Sequence, residues 1–172
     1  MNTVIENILT RRSVRAFRSQ PLSDEDLNQI LQAAAYAPSG MNKQTWIFTA
    51  VTNKNIIRNL AEAIASELGR ENYDMYSPEV LIIPSNLRES PWGKEDNACA
   101  LENIFLAAHS LGIGSVWINQ LQGICDRPVI RSILDELEIP SDHIVYGMAA
   151  LGYPADAPKK EVIKTGQIRI VR

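Results

Sequence analysis

At 172 residues the chain is long enough for one domain with a real core, and its 45% hydrophobic content is ordinary for a globular protein. A net charge of −3 and a pI near 5.4 argue against nucleic acid or an anionic membrane as the main partner. Two cysteines, Cys99 and Cys125, share neither CxxC nor zinc-type spacing, which leads us to expect a reduced, cytoplasmic compartment and no metal site.

Residues 3–11 read as a short helix with Val4, Ile5, Ile8 and Leu9 on one face. No signal peptide is expected here, and no run reaches the roughly 18 apolar residues of a spanning helix. The stretch 10–17, Thr-Arg-Arg-Ser-Val-Arg-Ala-Phe, concentrates arginine in an acidic chain. If extended, it puts Arg11, Ser13 and Arg15 on one side, with Arg12 and Val14 on the other. Two guanidiniums and a hydroxyl on one edge suit an elongated anionic ligand, because arginine grips phosphate bidentately. A solvated basic patch or a nucleic-acid arm fits the same residues.

Ser23 starts a helix whose first turn, Asp24-Glu25-Asp26, favours the positive end of the helix dipole. Leu27, Ile30, Leu31, Ala34 and Ala35 form its apolar face, and Pro38-Ser39-Gly40 ends it. The stretch 37–46 reads Ala-Pro-Ser-Gly-Met-Asn-Lys-Gln-Thr-Trp, and Gly40 suits a place where backbone approaches a ligand. Residues 46–51 are a buried strand, residues 54–68 an amphipathic helix, and residues 80–83 a strand stopped by Pro84. Residues 84–95 are a polar loop containing Trp92.

Residues 96–111 are apolar around most of their circumference, which implies burial on all sides at the centre of an oligomer or of a monomer core. Residues 115–118 form a strand, 128–137 a helix and 144–151 a strand. Residues 167–172 alternate like a strand with no hairpin partner nearby, so a second subunit could supply its edge. Helices alternating with four or five strands indicate a mixed α/β or α+β sandwich. No GxGxxG follows a strand and no GxxxxGK[ST] occurs; Gly112-x-Gly114 reads as a helix terminator. His109 reads as a satisfied core or interface histidine, Cys99 as a buried hydrophobe, Cys125 as a loop cysteine and Trp46 and Trp117 as core.

Four segments together resemble the nitroreductase family: 10–17, 37–46, Glu102-Asn-Ile-Phe-Leu-Ala-Ala-His-Ser-Leu-Gly-Ile-Gly-Ser-Val-Trp-Ile118 and Gly147-Met-Ala-Ala-Leu-Gly-Tyr-Pro154. The resemblance implies a single α+β domain over 1–172. Its fold would be a three-layer α-β-α sandwich with a mixed, mainly antiparallel sheet of four to five strands. A domain-swapped C-terminal strand, in the tail 155–172, would extend onto a partner subunit. It further implies a homodimer with FMN at each of two interface sites. Arg11, Arg12, Ser13 and Arg15 would contact FMN, with Arg11 on the phosphate and Arg15 catalytic near the pyrimidine edge. Pro38, Ser39, Gly40, Met41 and Asn42 would approach from the other subunit. A main-chain N–H near Asn119 and Gln120 would donate to flavin N5.

The family's C-terminal Lys-x-Arg-like pair is replaced by Pro158-Lys159-Lys160-Glu161, leaving Lys159 or Lys160 for the phosphate. The short 84–95 loop leaves Trp92 as the one obvious lid residue. The implied activity is hydride transfer from NADH or NADPH through FMN to nitroaromatics, quinones or similar small acceptors, by a ping-pong cycle. A dehalogenase-like or flavin-degrading relative, a flavin storage or sensor protein, and a nucleic-acid-binding arm are the alternatives.

Overall fold

The computed structural model describes residues 2–156 and 164–172, and the fold builds outward from five short strands. In chain order these are β1 (Trp46–Val51), β2 (Val80–Leu87), β3 (Gly114–Ile118), β4 (His143–Ile144) and β5 (Met148–Gly152). They form one sheet in the order β1-β2-β5-β3, with β4 pairing the far end of β2. Every pairing between these strands is antiparallel. Among the described residues the one parallel link is a bridge from Ser13 to Ser115.

Side-chain alternation along the strands sorts two cores. Leu81 and Ile83 face one layer with Val116, Ile118 and Ala150, beneath α3 (Lys54–Leu68) and α5 (Pro128–Glu136). Val80 and Ile82 face the other with Ala149 and Leu151, against α2 (Asp24–Ala35) and α4 (Gly93–Ser110). This is the three-layer α-β-α sandwich. Leu101 and Ile104 of α4 are fully buried, and truncating either to alanine would cost about 2–5 kcal/mol.

The helix ends follow the local chemistry. Ser23 accepts from the Asp26 N–H, Asn53 from Asn55 and Ile56, and Asn2 from Val4 at the start of α1 (Thr3–Thr10). Gly69 closes α3 at φ 61°. Gly112 stops α4 as the sequence predicts, donating to the His109 carbonyl.

Three expectations are corrected. β2 runs through Pro84 to Leu87 rather than stopping at it. Leu87 N–H bonds Thr45 O, so Pro84, three positions away and opposite Phe48, turns its missing donor away from β1. There it meets the gap between β5 and β4, and the Pro84 carbonyl accepts from Asn97 Nδ2. The polar loop then shrinks, because α4 starts at Gly93. The single strand expected at 144–151 is broken into β4 and β5 where its pairing with β2 slips: Ile144 pairs Asn86 but Ala149 pairs Ile82, leaving one extra residue opposite the Pro84 region. The Trp117 indole packs there, its Nε1 2.6 Å from where a Cβ on Gly147 would stand.

Burial also differs from expectation. Cys99 is exposed on α4 while Cys125 is buried in the α3–α5 core. Trp117 is 41% exposed and Trp46 half-buried, so neither is a core residue of the single chain. α4 is not buried all round: Glu95, Cys99 and Glu102 share an open face. Residues 164–172 form no strand within the chain, and Ile168, Ile170 and Val171 are exposed. Among the described residues no helix is long and apolar enough to cross a membrane, and no group of three potential metal ligands occurs.

Candidate active site

The 10–17 stretch leaves α1 and is stitched to the sheet edge by main-chain bonds. Val14 N–H donates to Ser115 O at 2.9 Å, Arg18 to Tyr153 at 2.8 Å, and Ala155 donates back to Ala16 at 2.9 Å. Two glycines make room for it. A Cβ on Gly114 would meet Val14 at 2.8 Å, and one on Gly152 would meet Phe17 at 2.9 Å. Two isolated bridges form here, Ser13 to Ser115 in parallel sense and Phe17 to Pro154 in antiparallel sense, with no continuous ladder between them, so strand alternation does not carry along the stretch.

The arginines therefore divide between two cavities. Arg11 and Ser13 line a cavity of about 230 Å³ with Glu102, Phe105 and Trp117. Arg12, Ser13 and Arg15 line one of about 680 Å³ with His109, Ser115 and Asp156, within the size range of small-molecule sites. Arg11 lies 3.7 Å from the Glu102 carboxylate and 6.0 Å over the Phe105 ring. Arg15 sits 6.0 Å over the Tyr76 ring. Tyr76 gave no signal in the sequence.

Asn119 and Gln120 follow β3 directly, four residues beyond Ser115 and thus about 13 Å along the strand from the Ser13 bridge. The Asn119 N–H is held by the Gln120 side-chain oxygen at 3.0 Å. The donor set along this edge, cationic at one end and with main-chain amides at the other, fits an elongated ligand with a phosphate and a polar ring. Lys159 and Lys160 lie outside the described residues.

His109 lines the larger of the two cavities. Thr10 Oγ1 spends its one proton on the Glu6 carbonyl at 2.7 Å, so its contact with His109 Nε2 at 2.8 Å requires the ring to donate. Burial, and secondarily the Arg11 charge, hold the His109 pKa below its ordinary value. Its Nε2 is satisfied by Thr10, and the lowered pKa favours the neutral ring.

The 37–46 stretch is held elsewhere. Gly40 N–H donates to the Asp96 carboxylate at 2.8 Å, and a Cβ on Gly40 would fall 2.5 Å from the Trp92 ring. Trp92 is thus docked on Gly40, with Lys43 Nζ 5.6 Å over its ring, rather than hanging free as a lid. Pro38, Met41 and Asn42 are exposed, while Ser39 and Gly40 are half-buried. Asp96 was missed in the sequence because an acid at a helix start reads as a dipole partner alone.

Neither cavity flanking 10–17 is lined by any residue of 37–46. On α4, Gly40 contacts Asp96, Arg11 contacts Glu102 and Thr10 contacts His109. At 1.5 Å per residue those anchor points lie about 9 Å and about 20 Å apart from Asp96 along the helix.

Comparison with known families matches the Nitroreductase family over residues 8–80 and 69–153. A nitroreductase from Bacteroides fragilis, crystallised with bound FMN, is 44% identical, covers 100% of both chains and superposes with a TM-score of 0.94. A protein of Archaeoglobus fulgidus, provisionally named an NADH dehydrogenase/NAD(P)H nitroreductase, is 35% identical over 91% of this chain and 88% of its own. An FMN reductase [NAD(P)H] from Bacillus subtilis is 26% identical over 94% of this chain and 70% of its own.

Proposed function

This chain belongs to the nitroreductase family, and we propose that it is an FMN-dependent oxidoreductase using NADH or NADPH to reduce electron-poor small molecules such as nitroaromatics and quinones. The observation that carries the reading is the alignment of Arg11, Ser13 and Trp117 in one cavity along β3, with the Asn119 and Gln120 amides just beyond. Bound FMN would supply a ring that accepts hydride and passes it on, in alternating half-reactions.

The protein's own part is binding and electrostatics. Arg11 would neutralise the phosphate, and Arg12 and Ser13 would hold the polar chain. Arg15 would stabilise negative charge on the reduced ring. The amides near Asn119 and Gln120 would hydrogen-bond the ring edge, which requires the Gln120 side chain to release the Asn119 N–H. Lys159 or Lys160 would add a point charge at the phosphate. No side-chain acid or base is required by this chemistry.

The site would be completed in a homodimer, with Pro38, Ser39, Gly40, Met41 and Asn42 reaching the flavin of the other subunit. Three features support this. The two stretches are anchored at different points of α4. Val4, Ile5, Ile8 and Leu9 leave an apolar face of α1 at 46–64% exposure. The apolar tail residues Ile168, Ile170 and Val171 are uncovered, as a strand that crosses to a partner would be in a single chain.

The test is the visible spectrum of the protein loaded with FMN, before and after anaerobic NADH or NADPH. Bleaching of the flavin band is expected. A band that persists with both reductants would leave a flavin-binding storage or sensor protein.

A further inference from the structure

We propose that Asp96 is a positioning residue whose carboxylate fixes the Gly40 turn, so that Met41 and Asn42 are presented to the FMN of a second copy of the chain. The proposal rests on the flavin reading above.

Asp96 is 4% exposed, in the first turn of α4, where the helix dipole favours a carboxylate. A buried carboxylate needs hydrogen-bonded partners, and the Gly40 N–H is one at 2.8 Å. The Trp92 ring closes the other side of Gly40, leaving no room for a Cβ. The turn is thus gripped by two side chains from one helix start.

What they grip is strained. Met41, Asn42 and Gln44 have φ of 51°, 55° and 49°, the left-handed region, which asparagine tolerates but which is disfavoured for Met41 and Gln44. Within the turn, Asn42 N–H bonds Ser39 O, Lys43 N–H bonds Gly40 O, and Gln44 N–H bonds Ser39 Oγ. Gln44 Nε2 also donates to Asn42 Oδ1. Strain of this kind persists only where the surroundings over-determine it, and Asp96 with Trp92 are those surroundings. Yet Met41 is 77% exposed and Asn42 is exposed, so the single chain gains no burial from the shape it maintains. A strained, outward-facing turn held by Asp96 and Trp92 is organised for something outside the chain.

The test compares Asp96→Ala with Asp96→Asn, which keeps a side-chain oxygen for the Gly40 N–H. FMN affinity is read by quenching of free-flavin fluorescence, and the Gly40 amide by ¹⁵N NMR and hydrogen exchange in the flavin-free protein. Asp96→Ala is expected to weaken FMN binding about tenfold or more, with loss of Gly40 protection, and Asp96→Asn by less than about threefold. Should Asp96→Ala fail to fold, Asp96→Ser, whose hydroxyl is too short to span to Gly40, carries the same expectation.

A mixed dimer of Arg11→Ala and Asp96→Ala subunits then reads the direction of presentation. It should hold one FMN at wild-type affinity, because both lesions fall on one site. Two weakened sites would overturn presentation across the dimer. Wild-type FMN affinity in Asp96→Ala would overturn the role of Asp96 while leaving the flavin reading intact. Wild-type protein that binds no FMN would overturn both.

Discussion

The 10–17 and 37–46 stretches are both short, polar and placed beside α4, but they are held in opposite ways. The first is fixed through its backbone: Val14, Ala16 and Arg18 bond main chain to main chain with Ser115, Ala155 and Tyr153. Its arginine and serine side chains are left to face cavities. The second has main-chain bonds within its own turn, and that turn is tied to the start of α4 through side chains: Asp96 and Trp92 hold Gly40, and Ser39 and Gln44 brace a backbone that three residues bend into the left-handed region. A backbone-held segment can change its side chains and keep its shape. A side-chain-held segment cannot, so its sequence encodes geometry as well as contact.

Substitutions can break this contrast. Arg11→Ala should weaken FMN on the order of a hundredfold by fluorescence titration, the loss of a charge-assisted phosphate contact. Its thermal midpoint should hardly move, because the Arg11–Glu102 pair at 3.7 Å is partly exposed and worth less than about 0.5 kcal/mol. A large stability loss would mean that the first stretch also depends on its side chains.

Gly40→Ala should do the reverse. The new Cβ meets the Trp92 ring at 2.5 Å, which should destabilise the fold by about 1–3 kcal/mol in urea at constant m value. An unchanged midpoint would show that Trp92 moves aside freely and does not grip the turn.

A matched serine pair sharpens the comparison. Ser39→Ala removes the acceptor of the Gln44 N–H and should cost about 1 kcal/mol. Ser13→Ala, where the strand bridge to Ser115 is main chain, should change stability by less than about 0.5 kcal/mol. Equal costs would erase the distinction.

The smallest effect is one of pH. The folded pKa of His109 lies below its unfolded value through burial and the Arg11 charge. The unfolded chain therefore binds the proton more readily, and native stability falls as pH drops below about 6.5. His143 is shifted the same way by burial, so it adds to the wild-type slope. His109→Gln, compared with wild type by urea unfolding at pH 7.5 and 5.5, should lose part of that slope. An unaltered slope would mean that His109 does not contribute.

Much of the fold was legible because its signals are local. Ser23 with its acidic triad and the apolar periods of α2 and α3 predict their elements directly. What was not legible depends on partners distant in the chain. Pro84 continues a strand because of ladder parity with β1 and a gap opposite. The strand at 144–151 breaks because its pairing with β2 slips by one residue opposite the Pro84 region. Cys99 and Cys125 exchange their expected burial because helix hydrophobicity does not say which face a neighbour covers.

In the site, the residue types were legible and their grouping was not. Arg12 and Arg15 share one cavity and Arg11 lines another, with Ser13 on both, since two isolated bridges do not propagate a strand period. Gly40 was marked as a place where backbone approaches a ligand, and within the chain it is the Trp92 ring that stands against it. Asp96 stayed hidden, because its partner is 56 residues away.

Sedimentation equilibrium of the FMN-loaded protein, followed at the visible flavin band, tests most directly whether two copies complete each site. The flavin should sediment with a species near twice the 19.2 kDa chain mass, and in Gly40→Ala more of it should run free. Flavin sedimenting with a single chain would contradict a site shared between subunits.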